Sequence, residues 1–536
     1  MLILTGILLI SSIVIILSIL CNRFSQKIGI PSLFFFICLG LFFGSDGVLR
    51  IPFDNYSLAE SISSVSLIFI MFYGGFGTRW KTAKAVALKS LLLSSFGVLF
   101  TALLIGIFSH VILKIDILES FLIGAVISST DAASVFSILK SKKLALKAQT
   151  SPILELESGS NDPTAYMLTL IILEIMNGTT SYEKYIYVIP AQFFIGILCA
   201  VILSYITLQI YRRFDLRSNG LEIIYFVGMV LFSFALPESF GGNGYLSTYI
   251  FGIIVGNQYF KNKRVLINFF DGLTGLVQIC IFFLLGLLAF PSQMSAILFT
   301  AFSITVFLTF VARPLSIFVI LKPMGCKLNQ IALISFAGIR GASAIVFAII
   351  ATVNPAYLKN DIFHIVFCIV LFSIAFQGTL LPFISKKLRM IDEDGDVLKT
   401  FTDYQEETAI QLIRLPITQN HPWISLGVSE LELPPQMLVV TIIKSKTAII
   451  PNGNTPIEYG DIVLIAAPGY DDYINIEVTE LTISKNHEWC QKKIHELNIP
   501  AQSLVATIKR DHSIIVPNGD TVIIEQDMLV IINKIN

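Results

Sequence analysis

The chain is poor in charge, in histidine and in clustered cysteine. Only 14% of its 536 residues are charged and 54% are hydrophobic, whereas soluble domains carry about 25% charged residues. That balance excludes an ordinary soluble protein and points to a polytopic membrane protein. The seven cysteines, Cys21, Cys38, Cys199, Cys280, Cys326, Cys368 and Cys490, are widely scattered, which argues against a disulfide framework or a zinc site. They read as small buried hydrophobes. No Gly-x-Ser-x-Gly elbow and no His-Glu-x-x-His motif occurs, and the apolar region holds only His110 and His364. A serine hydrolase or zincin therefore lacks its residues, and no enzymatic activity is expected. A ligand-gated cation channel is the other class, but no repeated filter loop of backbone carbonyls is visible. The formal net charge is zero, and no nucleic-acid partner is expected.

What is present is a long apolar region followed by ordinary polar sequence. The apolar character runs from Met1 to about Ser385, and the shift marks a domain boundary. The run Leu2 to Leu20 has neither a basic n-region nor a small-residue cleavage site, so it reads as a retained first helix. With about 20 apolar residues needed per crossing, thirteen spans are predicted: 2–20, 30–47, 58–76, 87–113, 117–139, 152–177, 186–210, 220–236, 244–257, 267–289, 294–321, 329–352 and 361–384. The ninth is short and rich in glycine. Lys and Arg crowd alternate loops, among them Arg79, Lys81, Lys143, Arg212, Arg217, Lys261, Lys263, Lys322, Lys386 and Lys387, while the opposite loops hold only Arg50, Lys114, Lys184 and Lys359. The positive-inside rule then sets the N-terminus outside and the C-terminal domain in the cytoplasm, in a cell membrane.

Three polar constellations interrupt the apolar spans. The segment Glu155-Leu-Glu157-Ser-Gly-Ser-Asn-Asp162-Pro163 opens the sixth span, and charge there is expensive and usually functional. Glu157 with Asn161, and Ser158 with Asp162, are four residues apart, so on a helix they form two adjacent stripes. Pro163 cannot donate to the carbonyl of Gly159 and is expected to kink the helix. Ser128-Ser-Thr130-Asp131 sits within the fifth span and Gly338-Ile-Arg340-Gly341 within the twelfth. Neither suits an uninterrupted helix, and transporters break helices in this way so that half-helix ends face a substrate. Asp131, Asp162 and Arg340 each lie about ten residues into their spans, or roughly 15 Å at 1.5 Å per residue, near the bilayer midplane. Arg313, Asp271 and Glu155 read as packing or interfacial groups.

A buried carboxylate is tuned between desolvation and nearby cations, so a proton and a hard cation compete for one group. Asn161 beside Asp162 adds dipoles but no second titrating charge. One carboxylate implies one proton per monovalent cation and an electroneutral cycle.

Ser129-Thr-Asp-Ala-Ala-Ser-Val-Phe136, Glu157-Ser-Gly-Ser-Asn-Asp-Pro163 and Gly338-Ile-Arg-Gly-Ala342 resemble the motifs of bacterial NhaP/CvrA-type cation/proton antiporters. The resemblance covers the whole apolar region. It implies a helical fold of two inverted six-helix units with crossed discontinuous helices, in a homodimer. It further implies Asp162 as the ion- and proton-binding carboxylate with Asn161 as partner, and Glu157, Ser158, Thr130 and Asp131 around it. Arg340 would balance the crossing and is a candidate partner for Glu157. The Glu-Ser-Gly-Ser-Asn-Asp-Pro form and the long tail resemble potassium exchangers more than sodium ones. Tyr73 departs from the pattern, standing where many relatives carry an acidic residue.

The chain divides on this reading into a transporter domain over 1–389, an acidic linker over 390–410 that includes Asp392 to Asp396 and Asp403 to Glu407, and two modules over 411–470 and 471–536. The modules are copies offset by 66 residues: Asn420-His421-Pro-Trp423 recurs as Asn486-His487-Glu-Trp489, and Ile449-Ile-Pro-Asn-Gly453 as Ile515-Val-Pro-Asn-Gly519. About twenty identities in about fifty positions mark two copies of one unit. Each copy is predicted to run from a short helix into an apolar strand, a hairpin through Pro-Asn-Gly and a closing strand near Asp461 or Asp527. The pattern resembles the TrkA-C (RCK C-terminal) module, without a Gly-rich dinucleotide fingerprint before it. That resemblance implies ligand sensing and dimerisation, with a small effector such as a cyclic dinucleotide held around Asn452, Gly453, Asn518 and Gly519. No other cofactor is expected. The reading left open is a Na+/H+ exchanger whose tail only clamps a dimer.

Overall fold

The computed structural model describes residues 2–28, 31–142, 144–178, 182–214, 220–258, 263–356, 358–392, 411–467 and 476–534, apart from short breaks at 420, 435–436, 445–446, 485–486, 498, 500–502, 511–512 and 516. Past Asp392 the predicted acidic linker lies outside these residues, as do Lys143, Arg217, Lys261, Asn420 and Asn486. The chain separates into two units, Met1–Gln405 and Glu406–Asn536.

The first unit is helical. Its principal helices are α1 (Leu2–Ile28), α2 (Ser32–Phe43), α3 (Tyr56–Gly77), α4 (Ala87–Val111), α5 (Ile117–Val126), α6 (Ala132–Ser141), α7 (Thr150–Met176), α8 (Tyr182–Arg213), α9 (Leu221–Ser239), α10 (Gly244–Gly256), α11 (Lys263–Leu288), α12 (Leu298–Leu321), α13 (Leu328–Phe336), α14 (Ala342–Val353) and α15 (Ile362–Lys387). Among the described residues seven helices, α3, α4, α9, α11, α12, α15 and most of α8, are long and apolar enough to cross a membrane. The starts are set by local chemistry. Asn55, Asp116, Asn243 and Asp361 each accept a hydrogen bond from a backbone N–H in the first turn of α3, α5, α10 and α15, which occupies a donor the helix itself leaves free.

Glycine decides the closest packing. A Cβ on Gly75 of α3 would lie 2.3 Å from the carbonyl oxygen of Tyr249 on α10, and one on Gly252 of α10 would lie 2.5 Å from that of Phe72. Backbone therefore rests on backbone between α3 and α10, as small residues allow in membrane helices. This explains the glycines of the short ninth span.

Loops at one end of the bundle bond to one another. Asn257 receives from the N–H of Trp80 and donates to the carbonyl of Thr78, Gln330 donates to Ala148, and Ala145–Leu146 (β1) pairs antiparallel with Ile391–Asp392 (β2). This end carries the basic loops. At the other end Glu119 accepts from Lys359 N–H and Asn360, Asp46 from Ser292, and Asn177 donates to Asn354.

The second unit holds two four-stranded antiparallel sheets of the same order. β3 (Gln411–Pro416), β4 (Leu438–Lys444), β5 (Thr447–Ile449) and β6 (Ile462–Ala467) run β3-β6-β4-β5; β7 (Ile476–Thr482), β8 (Ser503–Arg510), β9 (Ser513–Ile515) and β10 (Met528–Lys534) run β7-β10-β8-β9. The duplication reaches the core: Ile417, Val439, Ile442, Ile457, Val463 and Ile465 in one copy stand where Ile483, Val505, Ile508, Ile523, Leu529 and Ile531 stand in the other. Two expectations are corrected. Among the described residues each copy begins with a strand rather than a helix, and the only helical piece before β4 or β8 is one 3-10 turn, Val428–Glu430 or Ile494–Glu496. The hairpin is formed by β4 with β5 and by β8 with β9, and Pro-Asn-Gly follows it. There Asn452 Oδ1 accepts from the N–H of Asn454 and from Thr455 Oγ1, and Asn518 Oδ1 does the same with Asp520 and Thr521. The Asn-Gly pair is a side-chain-bonded turn in the connection to the closing strand. His421 and His487 each accept from the N–H of the tryptophan two residues on, at 3.2 Å.

Candidate functional site

Two helices that read as single spans are broken. Between α5 and α6 the chain leaves the helix at 127–131, and between α13 and α14 at 337–341. The breaks cross, for the N–H of Asp131 donates to the carbonyl of Ile339 at 2.8 Å. Gly341 is required there, because a Cβ on it would lie 2.3 Å from Asp131 Oδ2.

The crossing exposes half-helix ends, and its charges answer them. Arg340 is fully buried and donates through Nη1 to the carbonyls of Ser128 (2.9 Å) and Ser129 (2.5 Å) at the C-terminal end of α5. Its own N–H is held by Ser373 Oγ at 3.0 Å. Asp131 accepts from Ser134 Oγ at 2.6 Å at the N-terminus of α6. A cation at a helix C-terminus and an anion at an N-terminus are both favoured by the helix dipoles. Ser158 closes the remaining gap, donating to the carbonyl of Thr130 at 2.7 Å and accepting from the N–H of Ala132 at 2.8 Å. Asn161 donates to Thr130 Oγ1 at 2.6 Å, while its Oδ1 is buried without a hydrogen-bond partner.

Asp162 lies on α7, which passes through Pro163 without a break. The carbonyl of Pro163 receives Asn243 Nδ2 from α10 at 3.0 Å. The Asp162 carboxylate is only 8% exposed. It accepts from Ser129 Oγ, which is itself 2.7 Å from Ser343 Oγ. Asp162, Ser158, Thr130 and Asp131 line a cavity of about 440 Å³ that continues past Glu155 to Asp271, toward the end of the basic loops.

The two polar stripes of α7 part company. Ser158 and Asp162 face the cavity, whereas Glu157 turns from it into the protein and pairs with Arg313 on α12, 2.8 Å away and equally buried. Arg313 thus takes the place for which Arg340 was a candidate, and it is a buried partner rather than an interfacial group. Gly338 permits the pair, since a Cβ there would meet Arg313 Nε at 2.2 Å. Asp271, exposed near the start of α11, lines the cavity as well and accepts from Tyr73 OH at 2.8 Å. A carboxylate is therefore supplied beside Tyr73 by another helix. Ser129 and Ser343 escaped the sequence reading as ligand-side groups, although each is a hydroxyl beside a helix break.

In the tail the matched positions Lys444 and Arg510 reach Asp461 and Asp527 at 3.4 and 2.8 Å. Burial pushes the Asp527 carboxyl up, and the hydrogen bonds and charge of Arg510, with the N–H of Ile524, outweigh it and hold the group below the usual carboxylate range.

Residues 11–387 match the family described as sodium/hydrogen exchanger, transmembrane, and residues 412–469 and 478–536 each match the TrkA-C domain. Among curated proteins the chain is 28% identical over 463 residues to a protein of Shewanella baltica named K(+)/H(+) antiporter NhaP2, covering 85% of this chain and 80% of the relative. It is 29% identical, with the same coverages, to one of Alkalimonas amylolytica named K(+)/H(+) antiporter NhaP. Among solved structures the sodium proton antiporter MjNhaP1 of Methanocaldococcus jannaschii superposes with a TM-score of 0.61 at 21% identity, over 70% of this chain and 99% of that one.

Proposed function

The chain belongs to the transmembrane sodium/hydrogen exchanger family, and from that premise we propose that it exchanges one K+ for one H+ at Asp162. The observation that carries this reading is the charge count at the crossing. Arg313 and Arg340 are matched in number by Glu157 and Asp131, which leaves Asp162 as the carboxylate in excess. A proton or a monovalent cation on Asp162 neutralises the site, and a neutral site crosses the low-dielectric barrier at far lower cost than a charged one. Ser129 and Ser343 hydroxyls and the cavity-facing Ser158 and Thr130 supply the oxygen ligands that a hard cation takes in place of water.

Potassium is preferred over sodium because the relatives named K(+)/H(+) antiporters match over 85% of the chain, a span longer than the transporter region. The protein is a multi-pass membrane protein. We place the basic end and the tail on the cytoplasmic side, with the N-terminus outside, from the distribution of Lys and Arg. A homodimer, thirteen crossings and effector binding by the tail complete the proposal, with the transporter domain ending near residue 389 and the two modules dividing near 470.

The test is ion-driven proton movement in proteoliposomes holding the full chain, with K+, Na+ and Li+ compared. K+ is expected to drive exchange, and Asp162→Asn to abolish it while the protein still purifies as a folded species. Exchange persisting in that variant would refute the mechanism, and a response to Na+ alone would leave a sodium exchanger.

A further inference from the structure

Each broken helix is followed along the chain by a helix that carries polar side chains to the break. After α5 and α6 comes α7, whose Ser158 donates to the carbonyl of Thr130 and accepts from the N–H of Ala132. After α13 and α14 comes α15, which carries Ser373 and Gln377 four residues apart, the spacing of Ser158 and Asp162 on α7. Both are buried, at 1% and 4% exposed, and neither lines the cavity that reaches Asp162.

The two side chains splint the second break. Gln377 Nε2 donates to the carbonyl of Phe336, the last residue of α13, at 3.2 Å. Gln377 Oε1 accepts from Ser373 Oγ, and Ser373 Oγ accepts in turn from the N–H of Arg340 at 3.0 Å. Backbone groups at a helix end have no intrahelical partner, and in the apolar interior of a membrane protein no bulk water replaces one. One amide and one hydroxyl therefore pair a carbonyl at the end of α13 and the N–H of Arg340, and fix how far Arg340 stands from that helix. The backbone of α15 is adapted to this, since Ser373–Gly378 is a π-helical turn, a feature that recurs at functional sites. A second such turn, Leu308–Ala312 in α12, ends just before Arg313.

What hangs on the splinted segment is the site. Arg340 sends Nη1 to the carbonyls of Ser128 and Ser129, and the Ser129 hydroxyl bonds Asp162. Beyond Arg340 on the same segment, Ser343 places its hydroxyl 2.7 Å from that of Ser129. We propose that Ser373 and Gln377 are positioning residues for the exchange reaction: they set the place of Arg340, and through it bring the Ser129 and Ser343 hydroxyls to the carboxylate as cation ligands. The inference rests on the exchange reading above. A proton needs only the carboxylate, whereas a cation needs several oxygens in place of its hydration shell, so a loosened splint weakens the cation more than the proton. Gln377 carries no charge, so the count of one excess carboxylate stands.

Exchange is measured in proteoliposomes holding the full chain, per amount of folded protein, against the concentration of the cation that drives the wild-type protein, K+ on the reading above. Ser373→Ala and Gln377→Met are each expected to raise the apparent cation KM about fivefold and to leave the maximal rate nearly unchanged, which marks lost binding rather than lost folded protein. The double variant should show the KM of either single one, because both side chains act through one relay. Thr379→Val removes an exposed hydroxyl that bonds within α15, to the carbonyl of Ala375, and should change nothing. A reduced maximal rate at unchanged KM, additive effects in the double variant, an equal rise in Thr379→Val, or failure of both single variants to purify folded would make the pair merely structural and overturn the assignment. The K+ concentration that raises the thermal midpoint of the chain in detergent reports binding without transport, and should rise by the same factor in both single variants. A wild-type chain that K+ stabilises but that exchanges nothing would refute the exchange reading. The shift in binding would then still uphold the roles of Ser373 and Gln377, and its absence would overturn them.

Discussion

At the scale of the residue, the strongest consequence concerns Glu157 and Arg313. Both are buried, at 1% and 5% exposed, and removal of one member of such a pair leaves an unmatched charge in a low-dielectric interior. Arg313→Met is expected to destabilise the protein by about 3 to 5 kcal/mol, and Glu157→Gln added to Arg313→Met to recover much of that loss. Thermal unfolding in detergent, followed for both single variants and the double one, measures this. Additive losses would show that the two residues act independently. The pairing also separates two glutamates two positions apart: Glu155 reaches the cavity, and Glu157 does not. On the exchange reading a substitution at Glu155 is expected to alter ion access, and one at Glu157 the integrity of the crossing.

At the scale of the element, the crossing of the two broken helices depends on Gly341 as much as on its charged groups. Gly341→Ala places a methyl 2.4 Å from Asp131 Cβ, so the breaks must separate or Asp131 must leave the N-terminus of α6. We expect exchange to fall to background while the helical content stays unchanged, measured by ion flux beside far-UV circular dichroism. In the tail, Asp527 supplies a pH dependence whose sign follows from its lowered folded-state value. Its contribution is fully present above the unfolded carboxylate value, about 4, and is lost as pH falls through the lower folded value. Arg510→Ala should move the acid loss of the β8–β10 ladder to higher pH, read by hydrogen exchange of the full chain between about pH 5 and pH 3. The break positions were legible in the sequence because Gly, Ser and Thr beside a charge stand out in an apolar run. The hairpin of each tail module was misjudged for a local reason: Asn-Gly also suits a turn closed by the Asn side chain, and β5 ends before it.

At the scale of the whole molecule, the exchange reading predicts indifference to membrane potential. With one proton moved per cation, imposed potentials should leave the exchange rate unchanged, and a rate that follows the potential would require a second charge per cycle. Regulation by the tail predicts that removing residues from about 395 onward changes the response of exchange to pH or to an added effector, and an unchanged profile would reduce the tail to a clamp. The amino-acid sequence by itself determined the solvent of each half of the chain, the alternation of basic loops, the two broken helices, the position of Asp162 and the tail duplication. Each of these follows from composition or from spacing along one helix or strand, where periodicity is local. Only the tertiary structure decided that Arg313 rather than Arg340 neutralises Glu157, that Asp271 joins Asp162 in one cavity, and that Tyr166 and Tyr245 pack edge to face. Those facts depend on how helices distant in sequence are rotated toward one another, and that rotation is set by packing of many apolar contacts rather than by any motif within a single helix.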